Sequence, residues 1–135
     1  MSQLPNDLAE LKPEDLNAIA DEKGKDFTKI KTNQIRNVFA NINAIRTDFK
    51  IAITTKDAQD QNEKINKIKR DLVLLKPKLA YAAGRQNVVK PFQEFLFELI
   101  NKTVNSKKLE LALENFFIMV ESVVAYHKFY GGKDK

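Results

Sequence analysis

TNQIRNVFANINAIRTDFK, Thr32 to Lys50, decides the fold class. Its apolar residues Ile35, Val38, Phe39, Ile42, Ile45 and Phe49 recur at helical steps, the mark of a helix with one buried stripe. Thr32 or Asn33 can cap its start by accepting a first-turn N–H. The next stretch, TTKDAQDQNEK (Thr54 to Lys64), is polar and has no stripe, so it reads as a connection or as frayed helix. Ile65, Ile68, Leu72, Leu75, Leu79 and Ala82 then hold helical phase across Pro77. Proline lacks the N–H donor and disfavours helix at the residue before it, so a kink or restart is expected at Pro77. Gly84 is a natural stop, able to take the left-handed conformation. The small residues Ala80, Ala82, Ala83 and Gly84 predict close approach by another helix.

A third helix is signalled by Val88, Val89, Phe92, Phe95, Leu96, Leu99 and Ile100, with Asn87 as a cap and Pro91 in the first turn. It stops near Asn105. Ser106 can cap a fourth, longer helix whose stripe, Leu109, Leu113, Phe116, Phe117, Val120, Val123 and Val124, runs to a Gly131-Gly132 terminator. Pro13, Glu14 and Asp15 suit the first turn of a short helix near the N-terminus. Strand signals are weak throughout. The expectation is an all-α fold: a compact bundle of four major helices plus a short N-terminal helix. Residues 1–135 are expected to form a single helical domain, an acidic segment over 1–31 followed by a bundle over 32–132.

At 135 residues the chain has the length of one domain, able to bury roughly two thirds of its unfolded surface. It has no cysteine, which removes disulfides, zinc thiolates and thiol nucleophiles together. No apolar run approaches the roughly 18 residues of a membrane span, and the N-terminus lacks the pattern of a signal peptide. A soluble cytoplasmic protein is expected. The net charge of +5 is regional. Residues 1–26 hold three lysines and seven acids, residues 27–90 hold fourteen Lys or Arg against five acids, and residues 91–135 hold six of each. All four arginines, Arg36, Arg46, Arg70 and Arg85, lie in the middle block. Arginine suits forked contacts with phosphate, so a polyanionic partner is favoured.

Chemistry-bearing motifs are missing from the sequence. His127, the one histidine, falls on the apolar stripe of the last helix and reads as a packed side chain with satisfied nitrogens. A carboxylate-bridged metal pair wants Glu-x-x-His steps, and the residue three before His127 is Val124. The pairs Glu94 with Glu98 and Glu110 with Glu114 read as solvated. No phosphate loop, nucleophile elbow or Ser-His-Asp set is present, so no catalytic residue, metal or cofactor is assigned and a binding protein is expected.

The candidate site is a helix face. At about 100° per residue, Asn43, Arg46 and Lys50 fall within about 80° of Arg36, with Ala40 among them. Lys64, Lys67, Arg70 and Lys78 on the second helix can extend this strip. Arg36, Arg46 and Arg85 are the favoured phosphate contacts, because none has an acid near it on its own helix face. Asp48 beside Arg46 and Asp71 beside Arg70 are sequence neighbours, which do not face each other.

Three stretches carry a family resemblance: TNQIRNVFANI (Thr32 to Ile42), LKPKLAYAAGR (Leu75 to Arg85) and AYHKFYGG (Ala125 to Gly132). In this order and spacing they resemble the small subunit of the type III-A CRISPR effector, the Csm complex. The resemblance covers Thr32 to Gly132 and fails over residues 1–26 and the linker near Ala58. It implies a helical bundle that assembles in several copies, head to tail, beside the backbone subunits that hold guide RNA, lining the groove where target RNA pairs with the guide. Nuclease activity resides in other subunits of that assembly. Carried over, Arg36, Arg85 and Lys128 are implied contacts to RNA or its immediate framework. Tyr126, Phe129 and Tyr130 are implied to pack at the helix end or against a neighbouring subunit, with base stacking the third option. The competing readings are a helical adaptor that binds only protein and, more weakly, a helix-turn-helix DNA binder.

Overall fold

The structure, a computed structural model, describes residues 3–132, so residues 1, 2 and 133–135 of the expected domain lie outside it. The fold is all α. Six helices follow one another among the described residues: α1 (Pro13–Asp26), α2 (Thr32–Ile53), α3 (Ala58–Val73), α4 (Leu75–Arg85), α5 (Lys90–Val104) and α6 (Leu109–Phe129). Short 3-10 turns occupy Leu8–Glu10 and Asn87–Val89. α3 and α4 are one helix broken at Leu74, so the four expected major helices are α2, the α3–α4 pair, α5 and α6.

On α2 the predicted stripe is the buried one: Ile35, Ile42, Ile45 and Phe49 are covered, with Val38 and Phe39 packed at the core's edge. Its start differs from expectation. Lys31 holds the cap position, its N–H donating to Gln34 Oε1 at 3.2 Å, and the Thr32 hydroxyl turns instead to the Gly132 carbonyl at 3.4 Å. The supposed connection after Thr54 is largely helix. α3 begins at Ala58 because the Asp57 carboxylate accepts the Asp60 N–H at 2.9 Å, a cap strong enough to start a helix whose first turns lack an apolar stripe.

Pro77 breaks the helix, but upstream of itself. Its missing N–H and its ring both act on the carbonyl four residues back, that of Val73, and α3 ends at Val73. α4 restarts at Leu75, leaving Pro77 in a first turn that tolerates it. Gly84 is not the stop. The helix runs on through Arg85, and a Cβ at Gly84 would meet nothing within 4 Å, so the AYAAG stretch is not a site of close helix packing. Ala80 and Gly84 are exposed and only Ala82 packs on the core.

The close approach lies elsewhere. α1 has 14 residues and runs alongside α6, so the N-terminal helix is a full member of the bundle. Asn115 Nδ2 donates to the Leu8 carbonyl at 2.9 Å, and Tyr126 Oη donates to Asn17 Oδ1 at 2.6 Å. Further along α1, Gly24 is pressed on α6: a Cβ there would overlap the Tyr126 Cβ and come within 2.8 Å of the His127 backbone nitrogen. Asp7 ties the N-terminal segment to the α5–α6 turn by accepting from the Ser106 hydroxyl at 2.5 Å, the Ala9 N–H at 2.9 Å and the Lys107 N–H at 3.1 Å. The Ser106 hydrogen bond, then the Ala9 amide, hold the Asp7 carboxyl below the usual aspartate value. Ser106 is therefore not the cap of α6, a position taken by Lys108, although its hydroxyl accepts the Lys108 N–H at 3.0 Å.

The terminator at the other end of α6 is as expected. Gly131 sits at φ +77°, the Gly132 N–H donates to the His127 carbonyl at 2.8 Å, and Gly132 lies against the His127 ring. Inside, Phe27 meets Phe92 edge-on at 5.4 Å, and Phe49 and Phe116 both contact Phe117.

Gly24 and Gly84 make a matched test. Alanine in a helix is ordinarily favoured over glycine by up to about 1 kcal/mol. Gly84→Ala is expected to raise the melting temperature slightly, whereas Gly24→Ala should lower it, overpacking costing roughly 1–3 kcal/mol. Equal shifts in both variants would contradict the α1–α6 contact.

Candidate nucleic-acid interface

α2 is a ridge flanked by α6 on one side and α3 on the other. Arg46 Nη1 reaches Glu121 of α6 at 3.2 Å, and Lys67 of α3 reaches Asp48 of α2 at 3.9 Å. Between these flanks, Arg36, Ala40, Asn43, Thr47 and Lys50 share one edge, about 21 Å from first to last at about 1.5 Å per residue. Arg36, Ala40, Thr47 and Lys50 are exposed, and the nearest acid of α2, Asp48, faces the α3 flank.

The structure divides the sequence-predicted cations into engaged and open ones. Arg36 and Lys128 are exposed on opposite walls of one cleft between α2 and α6, floored by Phe39 and Val124. Lys50 borders a second cleft along the same junction, beside Ile53 and Ile118. Arg46 is not free: it pairs with Glu121 and its guanidinium lies 6.0 Å from the Phe117 ring centre. An acid from another helix supplies what its own helix lacks. Lys67 is also occupied, bonding Asp71 Oδ2 at 2.9 Å, a contact that raises its pKa above the usual lysine value. Arg70 is exposed but has Asp71 at 4.0 Å, so these sequence neighbours do approach one another. α3 therefore extends the open strip poorly. Lys78 and Arg85 lie on α4, Arg85 with its guanidinium 5.8 Å from the Tyr81 ring centre. Among the described residues, Arg36, Lys50, Lys78, Arg85 and Lys128 make no ion pair.

His127 is buried, its Nε2 2.9 Å from the Ile30 carbonyl, as a packed histidine should be. Among the described residues no three His, Cys, Asp or Glu side chains cluster to hold a metal ion. Glu94, Glu98, Glu110 and Glu114 are all exposed, and Glu98 pairs with Lys102 at 3.4 Å.

The family model described as Csm2 Type III-A matches residues 10–133. The chain belongs to the Csm2 type III-A family. It is 29% identical over 120 residues to a protein of Enterococcus italicus named CRISPR system Cms protein Csm2, covering 83% of this chain and 79% of that one. No solved structure matches the chain. Family membership makes it a small subunit of the type III-A Csm complex, with the other subunits of that complex as its partners. No helix among the described residues is long and apolar enough to cross a membrane.

In this Csm2-family chain the aromatic cluster at the end of α6 splits in two. Tyr126 bonds Asn17 and Tyr130 bonds Asp21, so both hydroxyls fasten α6 to α1. The Asp21 bond, helped by burial and the Asp21 charge, raises the Tyr130 pKa above the usual phenol value. Phe129 is different: it is 75% exposed, touching Tyr130 edge-on at 5.1 Å. Sequence reasoning grouped the three rings because spacing shows only that they crowd one helix end, not that α1 lies there. Tyr126→Phe with Tyr130→Phe is expected to lower the melting temperature, each lost bond costing about 0.5–1.5 kcal/mol. Phe129→Ala should leave it unchanged. A large drop for Phe129→Ala alone would show that this ring belongs to the core.

Proposed function

We propose that this chain is a non-catalytic RNA-holding subunit that lines the groove where guide RNA pairs with target RNA, contacting phosphates through the open edge of α2. The observation that carries this reading is the row of Arg36, Lys50 and Lys128, exposed, without an ion pair among the described residues, and mounted on two packed helices. A guide RNA can have any sequence, so its holder must grip phosphate and ribose without selecting bases. Rigid cations meet that need, and Lys78 and Arg85 add to them from α4. Arg46, Lys67 and Arg70 contribute charge to the field more than direct contact.

The assembly that follows is a row of identical copies, head to tail, beside the backbone subunits of the complex, supporting target RNA binding in antiviral defence in the cytoplasm. Such a row needs heterologous contacts that do not close into a ring, and the solvent-facing ring of Phe129 is the natural anchor of one half. Residues 1–135 act as one domain in this role, with no cofactor or metal.

Phosphate contact releases counterions, so RNA affinity should fall steeply with salt, by about 0.7 in log–log slope per contacted phosphate on single strands. Arg36→Glu with Lys50→Glu should weaken RNA binding at low salt and flatten that slope while helicity is kept. Affinity indifferent to salt, or a folded double variant that binds normally, would overturn the reading and favour a protein-only adaptor.

A further inference from the structure

On the flank of α2 away from α6, a third cleft opens between α2 and α4. Its floor is apolar, formed by Val38, Val89 and Phe92. Its wall on α4 carries Tyr81, which is 67% exposed, with the Arg85 guanidinium 5.8 Å from the ring centre. At about 100° per residue, Lys78, Tyr81 and Arg85 fall within about 60° of one another, so ring and cations share one edge of α4. The rim is made of amides. Gln34 is fixed in orientation, its Oε1 accepting the Lys31 N–H at 3.2 Å and its Nε2 donating to Gln86 Oε1, which leaves the Gln86 amide N–H groups available as donors. Asn37 is exposed beside it.

A tyrosine this exposed does not contribute much to stability, and no packing need explains it: Gly84 beside it has open space where a Cβ would stand. We propose that this cleft holds one unpaired nucleotide of single-stranded RNA, its base stacked on Tyr81, its phosphate on Arg85 and Lys78, and its polar edge met by the rim amides. The proposal rests on the RNA-holding reading above and gives it a second site with different chemistry. The occupant is set by what lines the cleft and its edge: an aromatic face with Arg85 beside it, and Lys78 one turn away on the same edge of α4, neither cation in an ion pair among the described residues, matches a base carrying its own phosphate. Every base has a π face, so such a site adds grip without choosing sequence.

The test compares binding of a short single-stranded RNA and of the same RNA in a blunt duplex, as a function of salt. Tyr81→Ala should weaken single-strand binding by about 5- to 150-fold, the stacking contribution of one base. Its salt slope should be unchanged, and duplex binding barely affected. Arg85→Ala should lose affinity and also flatten the single-strand slope by about 0.7. Tyr81→Phe should bind as the parent does, since only the ring face is used. If Tyr81→Ala binds both RNAs normally while Arg36→Glu with Lys50→Glu does not, the cleft is no nucleotide site although the α2 edge still holds RNA. If Tyr81→Ala keeps RNA binding but fails to assemble with its partner subunits, the cleft is a protein contact and the proposal is wrong. If single-strand and duplex binding fall together in Tyr81→Ala, stacking of an unpaired base is likewise ruled out.

Discussion

Helix α6 must be covered on several sides at once, and the rest of the molecule is arranged to do so. Ala112, Leu113, Phe116, Phe117, Met119, Val120 and Val123 are all buried, and no single neighbour can reach that spread of positions. α5 and α2 take two flanks. α1 takes a third, and only because Gly24 has no side chain to hold it off the α6 backbone. The Gly131-Gly132 turn then folds the end of α6 over His127 and meets Thr32 at the start of α2, so the two longest helices are joined where the open cleft begins. On the proposed RNA-holding reading this rigidity matters, because cations on a fixed ridge lose little freedom when they meet a phosphate.

What distinguishes one basic residue from another here is the company supplied by other helices. Arg36 and Arg46 sit on the same helix, ten residues apart in sequence, yet one faces solvent between α2 and α6 while the other is turned into that junction against Glu121 and Phe117. Lys67 is likewise spoken for by Asp71 and Asp48. Desolvating a cation that already has a carboxylate partner gains little, whereas an open one exchanges only water and counterions for phosphate. Of the α1 acids, Asp21 is engaged by the Tyr130 hydroxyl at the end of α6.

Helical period made α2, α5 and α6 legible from sequence, since each buries the apolar positions the period marks, whereas the starts expected at Thr32, Asn87 and Ser106 fall instead at Lys31, Val89 and Lys108. The first turns of α3 were not legible, because they are held by the Asp57 cap and not by apolar residues. The break before Pro77 followed from which carbonyl a proline disturbs, a matter of register more than position. Gly84 and Gly24 show the reverse difficulty: one glycine in a small-residue run packs on nothing, and another inside an acidic helix lies directly against its neighbour's backbone. Only the neighbour across the gap tells them apart. In the site, helix geometry alone placed Arg36 and Lys50 on one edge, but Lys128 came to it through the antiparallel course of α6. Glu121 beside Arg46, and Tyr81 at the mouth of the α4 cleft, carry no local signal.

On the proposed reading, open cations on the α2 edge hold RNA by its phosphates. Lysine reactivity toward an acylating reagent, read by mass spectrometry with and without bound RNA, tests it most directly. Protection of Lys50, Lys128 and Lys78, with Lys12 and Lys107 reacting as fast as in the free protein, is the predicted result. Protection spread evenly over all exposed lysines, or centred on Lys12, would contradict it.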